Sequence, residues 1–332
     1  MRTKRFQSRV VSWRYTLPAA LVIAVACRAV ALAVLPVRPV LGGGSALWTQ
    51  FVGGLAELPS WWGGFLCQLL VGWLLIMLNN AFVLIRVRAS FQSAVFLLLT
   101  AVVGPAFYPL HPGDAAAAAV VASLFFLFRS YRAPSAAVDH YLAASCLGLG
   151  SLAVPQLLFF LPLYWVGGYW FQSLSVKSFC GSLLGVMLPY WFLFGHAYWH
   201  GDWPLFVAPF LDLSRFAPLF QGLDGGRAVL LACLFVLFAV SAGHFLSWGH
   251  EDKIRTRCHL RFFVLLSFCL FLYIFLQPQC GICLVPLLVA CVSVLAGHLF
   301  VLSHGRVSNV FFISTLLVSA GLYVFELWMQ LG

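Results

Sequence analysis

Apolar residues run along this chain in long blocks separated by short polar gaps, and the block lengths predict a membrane helix bundle. A hydrocarbon core of about 30 Å needs about 20 apolar residues in helical form. Reading blocks of about 14–24 residues as helices places spans near 16–36, 62–85, 93–110, 114–128, 140–153, 155–171, 178–199, 228–248, 262–277, 281–302 and 309–330. The expected fold is therefore all-α, a polytopic transmembrane helix bundle of eleven spans, with ten or twelve as the alternatives. The stretch 140–171 sets the parity of everything after it. As one long span it reverses the side of every later loop, whereas two short helices meeting near Pro155 form a hairpin and keep the alternation.

The polar gaps are not equivalent. Most of the 19 Lys and Arg residues fall in alternate gaps: 1–15, 86–92, 129–139, 172–177, 249–261 and 303–308. Short basic loops stay on the cytoplasmic side of a bilayer, so the N-terminus, including the basic segment 1–15, is expected to be cytoplasmic. The acids lean the other way, with Glu57, Asp114, Asp202, Asp212 and Asp224 in the intervening outer gaps. Residues 1–35 share the layout of a secretory signal, but Arg28 interrupts an apolar run too long for a signal core, so an uncleaved first span is expected.

Composition agrees with the pattern and narrows it. The chain has 332 residues, 63% of them apolar and 8% charged, against about 45–50% and about 25% in soluble domains. The outer loops 37–60 and 200–227 are too short to form domains, so residues 1–332 read as a single integral membrane domain with the lipid bilayer as its first partner. The net charge of +10 is mostly loop charge, with no basic stripe for nucleic acid. Trp and Tyr near the block ends fit interfacial aromatic belts. Loop 200–227, broken by Pro204, Pro209 and Pro218, is expected to lie along the interface.

Few residues inside or beside the spans could carry chemistry. Arg28 sits near the middle of the first span, where a charge costs about 2.5–3.5 kcal/mol and should find a partner or a function such as anion binding. Glu326 in the last span is one candidate partner; a snorkelling Arg28 is the alternative. His196 and His200, spaced i and i+4, precede Asp202 and could supply metal ligands or simply interfacial hydrogen bonds. His111-Pro-Gly-Asp114 is a turn in which Asp114 suits a helix N-cap. If Asp114 and His111 instead share an outer cavity with His196, His200 and Asp202, a carboxylate beside a His could activate a hydroxyl or hold a divalent ion near phosphate. Ala115–Ala119 suits close helix packing. Cys280 and Cys283 form a C-x-x-C pair that a disulfide or incidental thiols would explain. No residue pattern names a cofactor.

From about Leu78 to Trp199 the chain resembles an uncharacterised family of multi-pass inner-membrane proteins of Gram-negative bacteria. The residues carrying this are Asn79-Asn80, Phe107-Tyr108-Pro109, Phe128-Arg129, Gly148 through Pro155, and Gly185 through Tyr190. That resemblance implies the inner-membrane location and brings no activity. The topology is more distantly similar to membrane glycosyltransferases that use lipid-linked sugars. Here their large first outer loop carries Glu57, while Pro36-Val37-Arg38-Pro39 follows the first span in place of an acidic pair.

Three functions follow as expectations. One is action on a lipid-linked sugar or phosphate at the outer face, with Asp114 and Asp202 catalytic and Arg28, His111, His196 and His200 binding. The others are a non-catalytic subunit of an envelope-assembly complex, and a transporter or flippase for an anionic lipid.

Overall fold

The computed structural model describes residues 6–35, 44–85, 90–133, 135–222, 224–249, 252–303 and 305–331, with the side chains of Glu57 and Leu331 excepted. Its described residues form helices and connecting turns with no strand. The long elements are α2 (Thr16–Val34), α4 (Glu57–Phe82), α6 (Pro112–Arg129), α7 (Ala136–Ala153), α9 (Val176–His200), α11 (Gly225–Trp248), α12 (Ile254–Leu276), α14 (Val285–Leu302) and α15 (Arg306–Leu331). Shorter ones are α1 (Phe6–Ser12), α3 (Ala46–Val52), α5 (Phe91–Val102), α8 (Leu161–Trp170), α10 (Trp203–Ser214) and α13 (Pro278–Gly281).

Among the described residues, eight helices are long and apolar enough to cross a membrane: α2, α4, α6, α9, α11, α12, α15 and the α13–α14 unit from Pro278 to Leu302. The chain is therefore a multi-pass membrane protein. The other three expected segments are helical too, but two are short. The block at 93–110 yields the 12-residue α5 and then breaks at Gly104, whose φ of 115° no side-chain-bearing residue adopts easily. The block at 155–171 yields a six-residue 3-10 turn, Pro155–Phe160, followed by the ten-residue α8.

Segment 140–171 is a hairpin. Pro155 ends α7, and the chain returns until Ser173 Oγ meets His140 Nε2 at 3.0 Å. The Arg132 N–H then donates to the Phe171 carbonyl at 3.1 Å. At 1.5 Å per α-residue and 2.0 Å per 3-10 residue, each arm is about 27 Å long.

Local signals set the helix ends. Ser175 and Ser178 form a reciprocal capping box at the start of α9, and Gly201 ends it in the left-handed conformation at φ 69°. Ser45 caps α3 and Asp202 caps α10. The expected cap on α6 is corrected. His111 occupies that position, its Nδ1 accepting the Gly113 N–H at 3.1 Å, which frees the Asp114 side chain to point inward.

The α14 helix is the hub, with 89% of its span buried, and α5, α6, α11 and α12 surround it. The rim helices α2 and α15 are only 22% and 11% buried and turn apolar residues such as Val22, Leu317 and Trp328 outward, as lipid-facing helices must. Small residues let α6, α7 and α9 approach closely. Ala116 and Ala117 are fully buried, Gly150 faces Ala119, and Gly185 lies against the Tyr141 carbonyl.

The basic gaps gather at one end of the bundle. There Thr256 bonds the Val83 carbonyl, Arg255 lies over Phe82 and Tyr131, and Gln7 ties to the Phe300 and Ser303 carbonyls. The opposite end holds α3, docked by Ser45 on Leu152 and Ala153, and α10, which at 12 residues lies too short to cross. Loop 37–60 is thus partly a packed helix, although residues 36–43, with Arg38, lie outside the described residues.

Candidate functional site

Arg28 is the largest fully buried side chain among the described residues, 1% exposed. It lies twelve residues into α2, about 18 Å along the helix from Thr16, in the half of the bundle away from the basic end. A guanidinium held in an apolar interior must spend its N–H groups on acceptors. Its Nη1 donates to the Trp61 carbonyl at 3.1 Å and the Tyr108 carbonyl at 2.8 Å, and its Nη2 donates to Gln68 Oε1 at 2.8 Å. The Tyr108 and Phe65 rings stand 4.5 and 5.1 Å from the guanidinium carbon.

Gln68 passes the connection on. Its Nε2 reaches Asp114 Oδ1 and the Phe107 carbonyl, each at 3.4 Å, the outer limit of a hydrogen bond. Asp114 is 1% exposed, and its Oδ2 has no hydrogen-bond partner. The two opposite charges share one buried site bridged by an amide, with no direct ion pair between them. An acceptor left open beside a buried cation is a costly arrangement and marks a place where a proton or a ligand donor is accommodated.

The sequence suggested Glu326 as the partner of Arg28, and the structure replaces it with Gln68 and Asp114. Glu326 instead packs beside Gly104 and Gly226. The first and last spans do join, through the Tyr323 hydroxyl donating to the Cys27 carbonyl at 2.7 Å. Tyr108 is fixed by its own hydroxyl, which donates to the Ala101 carbonyl at 2.7 Å.

His111 lies beside the cluster, buried and tilted against Phe107. Burial pushes its imidazole down to about 4, so it is neutral at pH 7. With Nδ1 accepting from Gly113, the ring proton sits on Nε2.

His196, His200 and Asp202 stand apart from this cluster. The two imidazoles are exposed near the end of α9, their centroids 4.5 Å apart, and Asp202 accepts the Leu205 N–H at 3.3 Å as the α10 cap. The α9 helix packs on α7 and α10, while Asp114 sits among α2, α4 and α6. Among the described residues no three His, Cys, Asp or Glu side chains gather closely enough to hold a metal ion. Cys280 and Cys283 are both free thiols.

Reading the sequence missed Gln68, an amide flanked by apolar residues in the middle of α4, where a polar side chain inside a span was the available signal. It also missed an apolar cleft of about 270 Å³ between α5, α11 and α15, walled by Leu99, Leu234, Leu237, Phe311 and Leu322. That cleft shares α15 with the cluster, since Leu322 lines it and Tyr323 bonds α2.

Compared with known proteins, the chain matches no protein-family model, no curated protein and no solved structure.

Proposed function

We propose that this is an inner-membrane protein of a Gram-negative bacterium, with a cytoplasmic N-terminus and eleven traverses, that acts on a lipid-linked sugar or phosphate from the outer face. The observation that carries the reading is the buried Arg28–Gln68–Asp114 cluster with its open carboxylate oxygen. An intramembrane arginine whose hydrogen bonds all go to neutral acceptors, with its carboxylate partner held one amide away, is a cation that suits the phosphate of a lipid-linked donor. Asp114 is the candidate proton acceptor for a hydroxyl of the second substrate, and His111 Nε2–H is a neutral donor beside it. The apolar cleft along α15 is a place for the lipid chain. His196, His200 and Asp202 stay outside this centre as candidates for headgroup binding.

The location follows from the family resemblance between Leu78 and Trp199, and the orientation from the basic end of the bundle. Eleven traverses put the C-terminus outside, so alkaline phosphatase fused after Gly332 should be active in intact cells. An inactive fusion that is expressed would overturn the topology.

Binding tests the site. Native mass spectrometry with a polyprenyl phosphate and the matching polyprenol should show preference for the phosphate in the wild type. Arg28→Gln should erase that preference while the purified protein stays monodisperse. Equal retention of both lipids by the wild type would end the proposal.

The complete burial of Arg28 and Asp114 favours a second reading, in which the cluster only locks α2 to α4 and α6 within a subunit of an envelope-assembly complex. Under that reading Asp114→Asn leaves lipid preference and cellular function intact and lowers stability alone.

A further inference from the structure

Four non-glycine residues among those described adopt the left-handed backbone region, and three of them meet at the basic end of the bundle: Val83 at φ 49°, Arg132 at 52° and Gln172 at 56°. Such a conformation costs about 1–2 kcal/mol per residue and is most unfavourable for β-branched valine. Strain of this kind persists where surrounding contacts over-determine it, and it clusters where side chains are held for use.

Here the contacts hold arginines. The Arg132 N–H donates to Phe171, and its Nε donates to Gln172 Oε1 at 2.7 Å, so both strained residues fix one guanidinium. That bond uses Nε of an exposed side chain and leaves the terminal amines of Arg132 as further donors. Val83 bends the end of α4 so that its carbonyl meets Thr256 and the adjacent Phe82 ring lies 5.4 Å beneath the Arg255 guanidinium carbon. Arg255 and Arg132 each stand 5.7 Å from the centroid of the same Tyr131 ring. Beneath them His259 stacks on Phe128 at 4.3 Å and closes the floor with carbon rather than charge.

Two described acids at this end are already engaged. Asp139 binds Arg129 at 2.5 Å, and Asp252 binds His298 at 3.0 Å. Arg132 and Arg255 have no carboxylate partner among the described residues. Two guanidiniums about one tyrosine, with no described carboxylate paired to either, are complementary to a phosphate. Exposed Val83 and Ile254 border them, so an apolar surface continues from the charges. This combination fits a lipid headgroup at the membrane surface better than a free anion.

We propose that Arg132 and Arg255, about Tyr131, form a binding site for the phosphate of an anionic phospholipid in the leaflet at the basic end. The site is separate from the Arg28 cluster and does not depend on its function.

The test is native mass spectrometry of the purified chain with equimolar phosphatidylglycerol and phosphatidylcholine. The wild type should retain phosphatidylglycerol preferentially. Arg132→Gln and Arg255→Gln should each lower the retained ratio about fivefold, the loss expected for one cation near an anionic surface. Arg306→Gln, at the same end on α15, should leave the ratio unchanged. Gln172→Gly separates positioning from folding: it relieves the left-handed strain, so the melting temperature is held or raised while the ratio falls. Equal ratios for the wild type and the two arginine variants would overturn the proposal. So would an equal fall in Arg306→Gln, which marks diffuse surface charge. Displacement of the lipid by millimolar inorganic phosphate would identify a free-anion site and overturn the lipid assignment.

Discussion

Replacing Arg28 by methionine keeps the length and apolar contact of the side chain while removing its charge and all three of its hydrogen bonds. The variant strands the Trp61 and Tyr108 carbonyls and Gln68 Oε1, and it removes the counter-charge from Asp114. Hydrogen bonds to charged groups contribute about 1.5–3 kcal/mol each, but the desolvation cost of the guanidinium is recovered when it is gone. Breaking a buried charge pair from one side typically costs about 3–5 kcal/mol, and Arg28→Met should fall in that range. Much of the loss is the penalty of an uncompensated Asp114. Adding Asp114→Asn should therefore recover part of it, giving a favourable coupling of at least about 1 kcal/mol in a double-mutant cycle. Equilibrium unfolding in mixed detergent micelles, followed by tryptophan fluorescence, measures all four corners. A loss below about 0.5 kcal/mol for Arg28→Met, the range of surface substitutions, would refute the reasoning. Strict additivity of the two changes would refute the electrostatic link between Arg28 and Asp114.

The remaining predictions concern packing and the outer surface. Gly185→Leu should separate α9 from α7, since a Cβ added at Gly185 would lie 2.3 Å from the Tyr141 carbonyl oxygen; a loss of about 1–3 kcal/mol or more is expected in the same unfolding assay. Tyr108→Phe deletes the buried bond to Ala101 and should cost about 1 kcal/mol, with a matching fall in thermal stability. His196→Ala with His200→Ala should change unfolding free energy by no more than about 0.5 kcal/mol, because both rings are exposed.

The bundle was largely legible in one dimension because a bilayer imposes a length and a polarity on every span. Each of the eleven apolar blocks contains helix, and the basic gaps lie together at one end because alternate traverses bring alternate loops to one side. The hairpin at 140–171 was readable for the same reason, since only a reversal near Pro155 keeps later basic loops on that side. Span lengths were less legible. Gly104 and the 3-10 turn after Pro155 cut two blocks short, and backbone geometry of that kind leaves no trace in hydropathy.

Composition by itself determined that this chain belongs in a membrane, which of its loops share an end, and that Arg28 needs a partner. Only the tertiary structure decided what that partner is. Arg28, Gln68 and Asp114 come from three helices far apart in sequence, and their meeting depends on helix rotation and on which side chain caps α6. His111 took that cap, so Asp114 turned inward toward Gln68, while His196 and His200 remained outside on α9. Hydropathy marks which blocks become helix, but not the angle at which each helix presents its polar residues. Packing sets that angle, and with it the pairing of charges inside the bundle.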